Sequence, residues 1–242
     1  THGPIRLADL FSITKSHAKA PVKVSVGAGP ANLAWHVYFK HYKNAKELSF
    51  ALAPIFNKEM KDLVKAGAKY LQFEDLGPWL GLFTGNKDDF KWVREVTEMC
   101  CDGVDAKIGW HFCFGNAWGN DILSASYPQG YQTVLPHLFG AAGIDEFVLD
   151  YANREMDGVE FLKNLPANQG VQIGVLGIRT NAIEKPEKIA ERVRKVVRHV
   201  PADKVTLSTD CGMKPLARMV AKMKLNSLAE GAAIVRKEVA GV

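Results

Sequence analysis

Three residues of this chain carry side chains that could meet at one cation. His111 and Cys113 sit two apart in "WHFCFGN" (residues 110–116), and Cys211 lies far downstream in "STDCG" (208–212). Side chains alternate between the two faces of a β-strand, so residues i and i+2 project the same way. An imidazole and a thiol aimed at one spot suit a metal or a nucleophile–base pair. A His-x-Cys pair joined by a distant Cys gives three soft-to-borderline donors, a set that suits zinc. A fourth position is left for a carboxylate, water or a substrate atom. Asp150, ending "EFVLD", is the nearest carboxylate candidate, and Glu74, Asp75, Glu155 and Asp210 compete for that place. A Cys–His nucleophilic pair would leave Cys211 without a task. Alone, His-x-Cys is a weak signal, because cysteine is a common core residue. Metal-type side chains at two strand ends strengthen it.

The elements that must position these residues alternate six times. The short apolar segments Val22–Val26, Tyr70–Phe73, Lys107–Phe112, Glu146–Tyr151, Val171–Ile178 and Lys204–Ser208 read as strands. Helical spacing follows them over 45–66, Asp88–Cys101, 130–141, Val159–Leu165, "KPEKIAERVRKVVRHV" and 214–237. Asn44 is placed to cap the first of these helices, and Pro186 suits the first turn of another. Such alternation implies a parallel sheet covered by helices. Every strand is followed by polar or glycine-rich chemistry: "GAGP", "QFED", "HFCFGN", "LDYANRE", "GIRTN", "STDCG". In a closed barrel all such ends face one mouth, whereas an open doubly wound sheet gathers ligands at one switch point. No G-x-G-x-x-G follows the first strand. The expected fold class is therefore α/β, of the (β/α)8 TIM-barrel type. Six units rather than eight are visible, so we expect a single domain over 1–242 that is N-terminally incomplete, lacking its first two βα units.

Bulk properties exclude several classes. The chain has 242 residues, 47% hydrophobic and 24% charged, with net charge +5 and four cysteines. No apolar run approaches the ~20 residues of a membrane span, and no secretory signal pattern opens the chain. Cys100 and Cys101 are adjacent, which is no disulfide framework, so a reducing, cytoplasmic setting is expected. The basic cluster at Lys185–Arg198 reads as a solvated helix face, without the interleaved aromatics that nucleic-acid binding would need. Neither nucleic acid nor membrane is an expected partner.

Together, "HFCFGN…LDYANRE…STDCG" resembles the C-terminal barrel of cobalamin-independent methionine synthase, and resembles its short relatives, including epoxyalkane:coenzyme M transferase, more closely still. "GAGPANLA" resembles that family's "GP-T" segment, and "KYLQFEDLGPW" its "YIQIDEP". The resemblance spans roughly 3–240, and by it the first strand here corresponds to the family's third. It implies a zinc-dependent methyl or alkyl transferase acting on a thiol, with Zn2+ as cofactor. His111, Cys113 and Cys211 would be the zinc ligands. Asp150 falls where the synthases place a ligating glutamate, one methylene longer, and Glu74 where they place an aspartate that binds the amino group of homocysteine. Gln72, Asp75 and Asn116 line the same mouth by position, with Trp118 and Arg154 as further substrate-binding candidates.

The implied partners are a thiol of the homocysteine or coenzyme M type and an alkyl or methyl donor such as a methyl-folate. A partner subunit or a second copy could complete the barrel. Of the strand-end aromatics Trp35, Trp79, Trp110, Trp118 and Tyr127, stacking on a pterin is the sharp reading and packing the plainer one. Arg154, Arg179 and Lys214 could meet an anionic tail or simply stand at helix ends. "GPAN" and "FEDL" depart from the family's patterns at the mouth, which argues for a thiol or methyl donor other than that of a standard methionine synthase. Two rival readings are a uroporphyrinogen-decarboxylase-like barrel without metal, which would leave the cysteines idle, and a non-catalytic subunit with a structural zinc.

Overall fold

The computed structural model describes residues 6–38, 40–115 and 130–241. Six strands form one sheet in sequence order: β1 (Val24–Ala28), β2 (Tyr70–Glu74), β3 (Lys107–His111), β4 (Glu146–Asp150), β5 (Gly170–Leu176) and β6 (Val205–Thr209). The registered pairs β1–β2, β2–β3 and β5–β6 are parallel. Consecutive parallel neighbours need crossover helices, and these are present. The α-helices among the described residues are α1 (Leu7–His17), which precedes β1, the connecting α2 (Pro30–Trp35), α3 (Ala45–Lys65), α4 (Leu80–Phe83), α5 (Asp88–Cys101), α6 (Leu135–Leu138) and α7 (Pro186–Val197), and α8 (Arg218–Ala240), which follows β6. The fold is α/β, with six parallel strands and flanking helices in the order of a (β/α) barrel.

Local chemistry explains the main boundaries. The Asn44 side chain accepts the Glu47 N–H at 2.9 Å, and the Glu47 carboxylate accepts the Lys43 N–H at 2.7 Å, so α3 starts at 45 as expected. Asp88 and Asp89 in the first turn of α5 favour its positive end. The last helix begins at Arg218 rather than 214, because Pro215 disfavours helical backbone at Lys214. The stretch 130–141 is a 3-10 turn (Gly130–Thr133) and the four-residue α6 instead of one helix. Gly140, at φ 74, is left-handed where a helix would have to continue. Val159–Asn164 is 3-10. β1 lies two residues later than its apolar run suggests, with a register shift between Ser25 and Ala28.

The chain forms two compact units, Thr1–Phe112 with Pro136–Glu146, and Cys113–Leu135 with Phe147–Val242. In the first, Leu71 and Phe73 of β2, Ile108 and Trp110 of β3, and Met60 and Leu63 of α3 are fully buried. Each such side chain contributes roughly 1.5–3 kcal/mol. In the second, Val171, Ile173 and Val175 of β5 meet Ile189, Ala190 and Val196 of α7 at the same depth. An ion cluster around the buried Lys224 and Arg192 ties that helix layer together. Lys224 of α8 is 0% exposed and donates to Glu184 (2.6 Å) and to the Gly177 carbonyl (3.0 Å). Arg192 of α7 donates to the Val175 carbonyl and to Glu155.

Candidate metal centre and its surroundings

His111 is the last residue of β3, Cys113 follows two residues on, and Cys211 follows β6. Their donor atoms, the imidazole nitrogen and two sulfurs, all lie within 4.8 Å of one another. His111 and Cys113 are each only 4% exposed. In register, Glu74 pairs with His111 and Gln72 with Gly109, which places both sequence-predicted substrate residues one strand away from the imidazole.

The backbone is arranged for sulfur. Gly115 donates its N–H to Cys113 Sγ at 3.3 Å, from a left-handed conformation (φ 86) that glycine adopts readily. The Gly212 N–H likewise bonds to Cys211 and favours its charged form. N–H donors aimed at a sulfur favour thiolate over thiol. Against this, a hydrogen bond with Cys113, and then burial, hold the Cys211 thiol well above its ordinary range, and the Asp150 charge adds to the effect. Metal ligation needs these sulfurs as thiolates, the form that the two N–H donors favour. The donor set and the two amide contacts therefore fit zinc, which prefers His and Cys donors.

Asp150 ends β4 and is 2% exposed, but it stands outside that three-donor group. Its carboxylate accepts a short hydrogen bond from the Tyr131 hydroxyl and a longer one, at 3.4 Å, from the Phe114 N–H beside Cys113. Its own N–H donates back to the Tyr131 hydroxyl at 3.1 Å. Burial, followed by the Asp150 charge, holds the Tyr131 phenol far above its usual range, so it acts as a proton donor to the carboxylate. Tyr131 is the residue that sequence reasoning missed. Its only local signal is "GYQT", which carries no spacing rule.

The other carboxylates divide clearly. Asp75 is fully buried and accepts N–H bonds from Ala31 (3.1 Å), Asn32 (2.8 Å) and Gly77 (2.7 Å). Burial pushes its carboxyl up to about 7 against those three bonds. It thus holds the start of α2, while its N–H donates to the His111 carbonyl at 2.8 Å. Asp210 does the same for the turn after β4, and Glu155 pairs with Arg192 at 2.8 Å and Lys188 at 3.5 Å. Arg154 stacks over the Phe114 ring at 4.7 Å, with Asp157 at 3.6 Å. Trp79 and Trp110 are buried edge-on against Phe112, the packing reading, while Trp35 is 52% exposed. Asn116, Trp118 and Tyr127 lie outside the described residues.

A barrel-order sheet with two thiols and an imidazole gathered at its strand ends defines an α/β protein with a candidate metal-binding cluster. The particular family is shown by sequence: the chain belongs to the family described as cobalamin-independent synthase, catalytic domain, whose profile matches residues 10–233. It is 31% identical over 233 residues to the methionine synthase of Saccharolobus solfataricus, covering 96% of this chain and 64% of that one. It is 29% identical over 237 residues to that of Thermococcus kodakarensis, covering 98% and 64%. The chain thus spans about two thirds of the length of these curated relatives, falling slightly short of that share. Among solved structures it matches a B12-independent methionine synthase from Shewanella sp. W3-18-1 in complex with selenomethionine. That match has a TM-score of 0.84 and 27% identity, over 100% of this chain and 70% of that one.

Proposed function

We propose that this chain is the catalytic part of a zinc-dependent transferase that moves a methyl or alkyl group onto a thiol substrate. The observation that carries the reading is the convergence of His111, Cys113 and Cys211 within 4.8 Å. Family membership supports the transferase class. Zinc held by those three residues would supply Lewis acidity that ionises a thiol at neutral pH.

The chain's own residues do the rest. Asp150 is the carboxylate candidate for the fourth position beside those three donors, and Tyr131 fixes its orientation through two hydrogen bonds. Glu74, half-buried and in register with His111, would receive the amino group of a homocysteine-type substrate. Gln72 shares its face of β2. Arg154, held over Phe114, suits an anionic tail. In the transfer, sulfur bonds to the donor carbon as the bond from that carbon to its nitrogen breaks, and the thiol proton ends on the donor nitrogen. Holding the two in line supplies much of the acceleration. A methyl-folate serves as such a donor. The selenomethionine held by the Shewanella protein is an analogue of the methylated product and supports the homocysteine class over coenzyme M.

The test is metal content of the purified protein, with zinc-edge absorption spectra before and after homocysteine or coenzyme M. Stoichiometric zinc whose shell gains a sulfur with homocysteine is the expected result. No metal, in protein never exposed to chelator, would overturn the reading. Zinc with an unchanged shell would make it a structural site.

A further inference from the structure

Asp210 precedes Cys211 and is 1% exposed. Its Oδ1 accepts the N–H groups of Tyr151 (3.0 Å) and Ala152 (2.8 Å), and its Oδ2 accepts that of Asn153 (2.6 Å). Those three residues immediately follow Asp150. The Asp210 N–H donates to the Leu176 carbonyl at 2.9 Å. One residue therefore ties the ends of β4, β5 and β6 together.

The geometry is unusual because β4 and β6 are not neighbours; β5 lies between them. The carboxylate reaches across β5 at Gly174. A Cβ there would fall 2.3 Å from Asp210 Oδ1, 2.8 Å from Asp210 Cα and 3.1 Å from Asp150 Cα. The two approaches to Asp210 are too close for a methyl group and the third is tight, so the bridge in this form needs residue 174 to have no side chain. Gly174 pairs in register with Ser208, three residues before Cys211. Three N–H bonds to one carboxylate form a stiff, directional strut between the backbone that carries Asp150 and the backbone that carries Cys211.

We infer that Asp210, acting across Gly174, is a positioning residue of the metal centre, fixing Cys211 relative to Asp150. The inference rests on the metal reading of His111, Cys113 and Cys211. Outer groups of this kind typically change metal affinity 10–100-fold when altered. Asp210→Asn keeps the size of the side chain but turns an N–H donor toward one of the three backbone donors.

The test uses the full chain. Zinc affinity is measured by chelator competition, and the cobalt-substituted protein is read by its thiolate-to-metal absorption band. Asp210→Asn is expected to weaken zinc binding about 10–100-fold and to shift the cobalt spectrum. Gly174→Ala, which keeps the Asp210 residue but whose Cβ would push its carboxylate out of the strut, serves as the second variant if Asp210→Asn does not fold. It is expected to do the same. Val196→Ala, in the buried face of α7, lowers stability without touching the strut and should leave affinity and spectrum unchanged. Loss of stability in Asp210→Asn or Gly174→Ala with wild-type affinity and spectrum would make Asp210 merely structural and overturn the inference. A wild-type protein that shows no cobalt–thiolate band would overturn the metal reading itself, and the inference with it.

Discussion

Tyr131→Phe removes one oxygen from the polar contact that orients Asp150. That hydroxyl donates to the Asp150 carboxylate and accepts the Asp150 N–H at 3.1 Å. Both residues are 2% exposed, so water does not replace the lost partner. A hydrogen bond to a charged group contributes about 1.5–3 kcal/mol and an ordinary one about 0.5–1.5 kcal/mol. The ring itself stays packed on Phe114 and Tyr151, with centroids 4.7 and 5.3 Å away, so the packing term is nearly unchanged. The expected loss is therefore about 2–4 kcal/mol. In a chain of this size that lowers the melting temperature by roughly 5–15 °C. Urea unfolding followed by far-UV circular dichroism, with thermal scans beside it, measures both. A loss under about 0.5 kcal/mol would refute the reasoning, because a buried carboxylate deprived of its best donor cannot be that cheap.

Cys211→Ser should leave purified protein with only a small fraction of the wild-type zinc, read by elemental mass spectrometry, since a hydroxyl is a much poorer zinc ligand than a thiolate. Lys224→Met removes one partner of half-buried Glu184, which keeps Arg192 at 3.7 Å and the Gly177 N–H, and should cost about 1–3 kcal/mol. Adding Glu184→Gln should recover part of that loss, so a double-mutant cycle in urea should show strong coupling. Lys23 sits 22% exposed, over the Tyr70 ring and 3.7 Å from Glu146. Burial, aided by Lys107, lowers its amine from 10.5 to about 8. Between those values the unfolded chain binds more protons than the folded one, so stability should rise with pH by roughly 1–3 kcal/mol. Lys23→Met should flatten that rise when unfolding is compared at pH 7.5 and 9.5.

The sheet was largely legible in the sequence because its signal is local. Apolar runs punctuated by glycine, proline and capping residues place Asp88–Cys101 to the residue, and all six strands to within two residues at each end. β1 is shifted by two because its bulge depends on pairing with β2, which no local pattern encodes. The helix expected over 130–141 dissolves into short turns because apolar spacing persists there while the backbone at Gly140 turns left-handed.

The site divides along the same line. His111, Cys113 and Cys211 were legible as donors, because residue type, strand alternation and position at a strand end are properties of sequence. Which carboxylate serves them was not. Asp75, Asp150 and Asp210 all stand at or just after strand ends and read alike, yet Asp75 and Asp210 spend their oxygens on backbone amides while Asp150 faces Tyr131. Those partners come from other strands and turns, so only the folded chain could assign them. By itself the sequence determined the order of strands and helices and the chemistry available at each strand end, because periodicity and side-chain type act over a few residues. Tertiary structure alone decided which donors converge and which acids are locked away, because those outcomes depend on close approaches, such as that at Gly174, between segments far apart in the chain.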